Sequence, residues 1–551
     1  MSTERSFDAV SLGILWDRLI SVTNEIVQAL VRTSFSTIAR ENYDLSCVLF
    51  DAKGRSIAQG TMSVPVFIGT APQTMRHMLD AIPPESLKPG DVILTNDIWM
   101  GTGHLWDLNV MQPAFKDGRI VGFAMSISHL PDIGGRGFST LNENMYEEGL
   151  QIPITRIVRA GEPNVELIEL IRKNVRVSEQ VIGDLMANIA ATDVGCRQLV
   201  EFMDDYGIDD LVPLADAIIE QSEAAMRQSI AAVPDGVYRN EIKVEAFNEA
   251  VTLACAVQIS GDRLMVDFEG TGPMVPFAIN VPLCYTKAMA AYAIKALILP
   301  HVPNNAGSVT PVEVKAPAGC ILNAVAPAAT GARFMVGHFI APLIFGAIAK
   351  VMPERVQADS GMTNIMNVIG RNPKGQEFTT LFFSAGGFGA MAGLDGLATT
   401  PSPSNMMVMP TETWEVLTGI RVLSRTLRAD SGGAGEFRGG LGQEIAMRND
   451  TRHALTVYAM GARTVFPALG SRDGKPGALR SYRVNGKDVQ AQGRYDLKPG
   501  DHLHLLEAGG GGYGDPALRD RSAIAADIER GFVTLDAAKR DYGYVPVTPA
   551  H

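Results

Sequence analysis

The amino-acid sequence predicts a mixed α/β (α+β), multidomain protein with a mostly β C-terminal region. Apolar residues recur at helical spacing in several segments, strand-like runs bounded by turn residues alternate with them, and strand signals dominate from about residue 421 onward. A length of 551 residues allows roughly three or four domains at ~100–200 residues each. Composition and pattern place an N-terminal α/β region at 1–235, a central α/β region at 236–420 and the mostly β region at 421–551, which ends in short helices.

The elements follow in order. Leu12, Leu15, Leu19, Val22, Ile26 and Leu30 make one apolar stripe, so Ser11 to about Thr37 reads as an amphipathic helix. Asp44–Asp51 is strand-like, with Lys53-Gly54-Arg55 turning into a partner strand at Ser56–Ala58. Strand signals return at Asp91–Thr95 and Ile120–Met125, and helical periodicity takes over at Val165–Lys173, Glu179–Phe202 and Ala215–Ala231. Glu241–Phe247, Leu253–Ile259 and Leu264–Phe268 read as strands, and a buried helix is expected around Leu283–Leu299. Within the C-terminal region Asn485-Gly486 marks a tight hairpin, because that pair tolerates two positive φ angles. Ser522–Arg530 and Leu535–Tyr542 close the chain as helices. Ser384–Asn405, dense in Gly, Ala, Ser, Thr and Pro, reads as a seam between regions.

Composition excludes several classes. With 48 Lys+Arg against 60 Asp+Glu the net charge is −12, and without a basic run the chain lacks the clustered cations that bind nucleic acid. A hydrophobic fraction of 46% excludes disorder. Glycine, at 55 of 551 residues, exceeds the usual level of about 7% without a collagen period. The N-terminus lacks a secretory pattern, and the most apolar stretch, Val336–Met352, is interrupted by His338, Pro342 and Lys350 and is shorter than the ~20 residues of a membrane span. The five cysteines are scattered and never CxxC, which fits reduced thiols and a cytoplasmic location.

Chemistry concentrates in two places. One is Asn96-Asp97 through Gly101-Thr102-Gly103-His104-Leu105-Trp106-Asp107, and the other is His129-Leu130-Pro131-Asp132-Ile133-Gly134-Gly135. Both follow predicted strands, where loops are firmly held yet open. In a helical turn His104 and Asp107 would point to one side, and His129 sits in the matching loop after the next strand. Two imidazoles and a carboxylate with open positions suit Zn, Mn or Fe. Each His-x-x-Asp pair reads equally as a salt bridge or a turn cap.

The first cluster resembles the Asn-Asp-Pro … Gly-Gly-Thr-His-Leu-Pro-Asp signature of the hydantoinase B/oxoprolinase family, and His129–Gly135 resembles its His-x-x-Asp-Ile-Gly-Gly block. Arg40–Asp51, Arg176–Leu185, Asp267–Thr271, Asp430–Gly442 and Gly509–Pro516 have counterparts in the same order, so the resemblance runs nearly end to end. It implies a B-type subunit of an ATP-dependent hydantoinase, oxoprolinase or lactamase, opening a small cyclic amide. The alternative is a subunit of an ATP-dependent ketone carboxylase of the acetone or acetophenone type; a non-catalytic scaffold is a third reading, against which the retained His104, Asp107 and His129 argue.

The resemblance further implies a divalent metal (Mn, Zn or Fe) held at His104, Asp107 and His129. Asp44 is a further ligand or catalytic carboxylate, and Asp44 or Asp132 takes a proton from water or orients an imidazole. ATP with Mg would be bound by an A-type ATPase partner in a heterotetramer, consistent with the lack of GxxxxGK[ST] here. The chain departs from the family at Ser63–Gly69 and Leu130, where frequent histidines are missing. That argues against a dinuclear site and for a more apolar pocket lined by Phe67, Trp99 and Trp106. Gly509–Gly514 reads as a structural turn rather than a phosphate loop, the Met406–Met409 cluster as core, and His502 with His504 as a solvent-facing strand pair.

Overall fold

Asp8 starts the first helix. Its carboxylate accepts from the backbone N–H groups of Val10 and Ser11, and α1 (Ala9–Thr33) follows, burying Leu12, Leu15, Leu19, Val22, Ile26 and Leu30 as one face. That face covers an antiparallel seven-stranded sheet, built from β1 (Leu45–Asp51), β2 (Ser56–Gln59), β3 (Val92–Thr95), β4 (Asp107–Lys116), β5 (Arg119–His129), β6 (Thr155–Arg159) and β7 (Glu162–Pro163) in the order β2-β1-β5-β4-β3-β6-β7. The helix Ser178–Asp205 lies beside α1 against β4 and β5. Gly195 permits this approach, since a Cβ there would stand 2.5 Å from Ile26 Cδ1.

This computed structural model describes residues 7–247 and 249–545. Two compact units emerge, Met1–Glu241 with Leu253–Ala347, and Ile242–Thr252 with Ile348–His551. The stretch 236–420, expected as one central region, thus contributes to both units. The first unit also holds the buried helix Leu283–Ile298, close to its expected bounds, packed on a helix at Phe67–Ala81 where Gly69 meets Ala288. Among the described residues no helix is long and apolar enough to cross a membrane.

Two elements of this unit differ from expectation for identifiable reasons. The strand β4 carries Asn109, Gln112 and Pro113, which mask its period. Pro113 lies beyond the residues paired with β3, Asn109–Met111, and beside the bulge at Ala114/Phe115, the kind of position where a strand accommodates proline. Helix Phe67–Ala81 contains Pro72 as its sixth residue, inside the helix, where it forgoes the bond to the Ile68 carbonyl, so the proline masks the helix in the sequence.

The second unit is strand-rich, as expected of the C-terminal region. One sheet runs Glu377–Ala385, Thr363–Arg371, Leu455–Met460, Gln492–Leu497; the other runs Ile420–Leu427, Gln443–Asn449, His502–Leu506, Ser481–Val484, Lys487–Val489. Asn485 and Gly486 turn the hairpin with φ of 50° and 77°. His502 and His504 face outward, and His504 Nε2 lies 2.9 Å from Glu444 Oε1. Met406 and Met409 are buried and Met407 is exposed.

The expected seam at Ser384–Asn405 lies wholly inside this unit. Its glycines, like those at 432–442 and 509–512, serve close backbone packing. The N–H groups of Gly509, Gly510, Gly511 and Gly512 donate in turn to the carbonyls of Ala478, Gly440, Asp359 and Lys475. Successive residues therefore address three different neighbouring segments, the threefold pattern of a polyproline II-like chain. Only Gly514 of this run has a positive φ, so Gly509–Gly512 is not the turn expected; its glycines are required because neighbouring backbones leave no room for a Cβ.

At Gly510 a Cβ would stand 2.1 Å from the carbonyl oxygen of Phe388. Gly510→Ala is expected to destabilise the protein by about 3 kcal/mol or more, read from urea unfolding, at or beyond the usual range for overpacking, because backbone must move. Gly13, mid-helix with nothing within 4 Å, is the control: Gly13→Ala should stabilise by ~0.5–1 kcal/mol.

Candidate metal centre

Asp107 opens β4, and His129 closes β5. The antiparallel register places them directly opposite one another, at one end of the sheet. Asp44 stands next to β1 at the same end, where its carbonyl accepts from the His129 N–H at 3.0 Å. The His-x-x-Asp spacing at 104–107 does not form a helical turn. His104 sits in an irregular loop leading into β4, and Asp107 is already strand.

His104, Asp107 and His129 bring one potential ligand atom each within 4.8 Å of the others, and all three are buried. The tautomers follow from the carbonyls around them. His104 Nδ1 lies 3.0 Å from the Gly331 carbonyl and His129 Nδ1 2.8 Å from the Leu130 carbonyl. A carbonyl can only accept, so both Nδ1 atoms carry the proton and both Nε2 atoms present bare lone pairs. His104 Nε2 is 3.0 Å from Asp107 Oδ1 but unaligned for a hydrogen bond, and neither Nε2 has a hydrogen-bond partner. Two buried, unsatisfied imidazole lone pairs converging on a carboxylate oxygen fit a divalent transition-metal ion by the chemistry of the donor set.

The charges agree. Burial, then the Arg333 charge, push the His104 imidazole below its ordinary value, and burial followed by the neighbouring His104 lowers His129 to about 3. Both rings are therefore neutral, as candidate metal ligands must be. Burial alone would raise Asp107, but the pull of His104 when that ring is protonated, together with the Arg333 charge, outweighs it and holds the carboxyl well below the usual range. Burial, then the Asp107 charge, push Asp44 well above its ordinary value, with Arg333 offsetting only in part.

Arg333 is the residue that sequence reasoning missed. Its Nε donates to the Thr102 carbonyl at 2.7 Å, a terminal nitrogen donates to Asp107 Oδ2 at 3.0 Å, and its guanidinium carbon lies 4.3 Å from the centre of the Tyr285 ring. Gly103, with φ of 92°, lies against this guanidinium; a Cβ there would stand 3.0 Å from Arg333 Cδ and Nε. The signal in the sequence was a single arginine preceding a stretch, 334–349, without charge. Its 226-residue separation from Asp107 hides the pairing.

The aromatic wall also differs from expectation. Trp106 stands 5.9 Å from His104 between ring centres, as expected for a lining residue. Phe67 is buried in its own helix and Trp99 is half-buried. Phe138 contacts both His104 and His129, at 6.0 and 5.2 Å, and stacks on Phe334 at 6.2 Å. Asp132 is not in the ligand cluster. Its carboxylate accepts from the Arg176 backbone N–H and guanidinium and from the Gly134 N–H at 3.2 Å, which ties down the loop after His129.

A family model described as hydantoinase B/oxoprolinase matches residues 8–516. The chain belongs to that family. It is 30% identical to the caprolactamase subunit beta of Pseudomonas jessenii over 98% of this chain and 96% of that one. The crystal structure of the ATP-dependent caprolactamase from the same organism superposes with a TM-score of 0.90 at 26% identity, covering 99% of this chain and 98% of that one. An acetone carboxylase structure shares the fold, with a TM-score of 0.86 at 20% identity over 97% of this chain and 80% of that one.

His338 provides a test of the site's surroundings. It is buried 5.6 Å from Phe334, and burial followed by the Arg333 charge lowers it to about 3 from an ordinary 6.5. Between those values the unfolded chain holds the extra proton, so the stability this group contributes is complete above pH 6.5 and is lost as pH falls toward 3. His338→Phe should flatten the acid limb of the unfolding free energy by up to about 1.36 kcal/mol per pH unit, read from urea midpoints across that range.

Proposed function

We propose that this chain is the metal-binding B-type subunit of an ATP-dependent cyclic-amide hydrolase, working with an A-type ATPase subunit in a heteromeric complex, with a heterotetramer as the expected assembly in the cytoplasm. The observation that carries the reading is the convergence of two bare Nε2 atoms and Asp107 Oδ1 within 4.8 Å, inside an aromatic wall. Full-length similarity to a caprolactamase subunit supports a lactam-like ring as substrate class.

An unactivated amide resists water because its carbonyl is resonance-stabilised and its nitrogen leaves poorly. In this scheme the A-type subunit moves the γ-phosphoryl group of ATP, bound with Mg, to the amide oxygen and releases ADP. Water adds to the activated carbon, the ring nitrogen takes up a proton and departs, and a second water cleaves the resulting acyl phosphate. A divalent Mn, Zn or Fe ion held by His104, Asp107 and His129 supplies Lewis acidity to polarise the reacting oxygen and acidify water.

The chain's own residues do the rest. Arg333 keeps Asp107 ionised and fixed in direction. Asp44, beside Asp107 and less acidic than an ordinary carboxyl, accepts the proton of the attacking water or joins the ligands. Trp106, Phe138 and Phe334 exclude bulk water and offer an apolar surface to the ring. Asp132, engaged by Arg176, holds the loop that follows His129.

The test is co-expression with an A-type subunit and an ATPase screen over lactams, hydantoins, oxoproline and ketones, with and without bicarbonate. Ring-stimulated ATP hydrolysis with ring-opened product is expected. Bicarbonate-dependent C–C bond formation from a ketone would establish the carboxylase reading instead. His104→Ala should abolish ring opening and metal retention while leaving the far-ultraviolet spectrum unchanged; full activity in that variant overturns the assignment.

A further inference from the structure

Glu148 is buried, 19 residues beyond His129 in the sequence, and unexplained by the scheme above. Its Oε1 accepts two backbone N–H groups, from Thr330 at 2.7 Å and Gly331 at 2.5 Å, and its Oε2 is buried without a partner. Burying a carboxylate with one oxygen unsatisfied costs free energy that an apolar side chain at this position would avoid. What it grips is the turn Thr330–Arg333, closed by the Arg333 N–H on the Thr330 carbonyl at 2.8 Å.

That turn does two things at the site. The Gly331 carbonyl accepts from His104 Nδ1 and so sets the tautomer that leaves Nε2 bare. Two residues later, Arg333 donates to Asp107 Oδ2. Glycine at 331 is what lets the carboxylate in, since a Cβ there would stand 3.0 Å from both Glu148 Oε1 and Trp106 Cζ3.

We propose that Glu148 is a positioning residue for the metal centre: by holding both N–H groups of the Thr330–Gly331 segment it fixes the ring plane and tautomer of His104 and, through Arg333, the orientation of Asp107. This rests on the metal reading of His104, Asp107 and His129. Outer partners of metal-bound histidines set ligand orientation and basicity, and their loss typically weakens metal affinity about 10–100-fold.

The experiment uses the full chain co-expressed with an A-type subunit, as wild type, Glu148→Ala, Glu148→Gln and His104→Ala. Zn2+ affinity is read by chelator competition, ligand geometry by the visible spectrum of the Co2+-loaded protein, and the His104 tautomer by 15N shifts of the metal-free protein. Glu148→Ala should bind Zn2+ about 10–100-fold more weakly, alter the Co2+ spectrum and lose the fixed Nδ1–H tautomer. Glu148→Gln, which keeps an oxygen facing both N–H groups, should recover most of the affinity. Wild-type affinity, spectrum and tautomer in Glu148→Ala overturn the proposal, as does a Glu148→Gln variant impaired as severely as Glu148→Ala. Should Glu148→Ala fail to fold, Gly331→Ala probes the same contact and is expected to weaken Zn2+ binding; unchanged binding there overturns the proposal. A wild type that takes up no more Zn2+ than His104→Ala sinks the metal reading itself, and the metal-free tautomer measurement then still decides the role of Glu148.

Discussion

Asp107 and His129 face each other because β4 and β5 pair in one register from Asp107 to Ala114, and the site hangs on that pairing. A slip of either strand by one residue would turn its side chain to the opposite face of the sheet, away from its partner. Register of this strength needs burial, and β4 and β5 are buried through most of their length, with α1 and helix Ser178–Asp205 over the sheet. The apolar stripe of α1 therefore serves the chemistry at a distance. It closes the core that locks the sheet, and the sheet sets the geometry of two of the three candidate ligand atoms.

The third candidate ligand depends on tertiary contacts of another kind. His104 lies in a loop whose conformation no ladder dictates, so its orientation is borrowed from the Gly331 carbonyl and from the aromatic rings of Trp106 and Phe138. Arg333 supplies the charge that such a site requires. With Asp107 ionised beside it and both imidazoles neutral, the guanidinium offsets one carboxylate, and Asp44 is left as the group whose charge state any bound cation would govern.

Backbone packing dominates the second unit. The glycine-rich segments at 386–390, 431–440, 470–477 and 509–512 lie so close that side chains would collide with neighbouring carbonyls, and their N–H groups bond across segments instead of along a sheet. The glycine excess of the composition thus marks a layer in which backbone is itself the core. Elsewhere in the unit an ordinary apolar core of Phe382, Trp414, Tyr482 and their neighbours fills the space.

Much of this was legible in the sequence, because it depends on local periodicity. The α1 stripe, the helices at 165–231, the Asn485-Gly486 hairpin and the Leu283–Ile298 helix all follow from spacing that a short window contains. The residue types of the centre were legible too, since histidine and aspartate beside glycine in two matching blocks are uncommon. What the sequence could not show is which atoms meet. The opposition of Asp107 and His129 is a property of strand register; the pairing of Arg333 with Asp107 spans 226 residues. The bare Nε2 atoms are set by two carbonyls, that of Leu130 next to His129 and that of Gly331 far from His104 in sequence. The same holds for the glycines at 509–512, which read as a turn until neighbouring backbones are in place. Local sequence determined the elements and the chemistry on offer, whereas convergence, tautomer and charge balance are long-range contacts that only the tertiary structure decided.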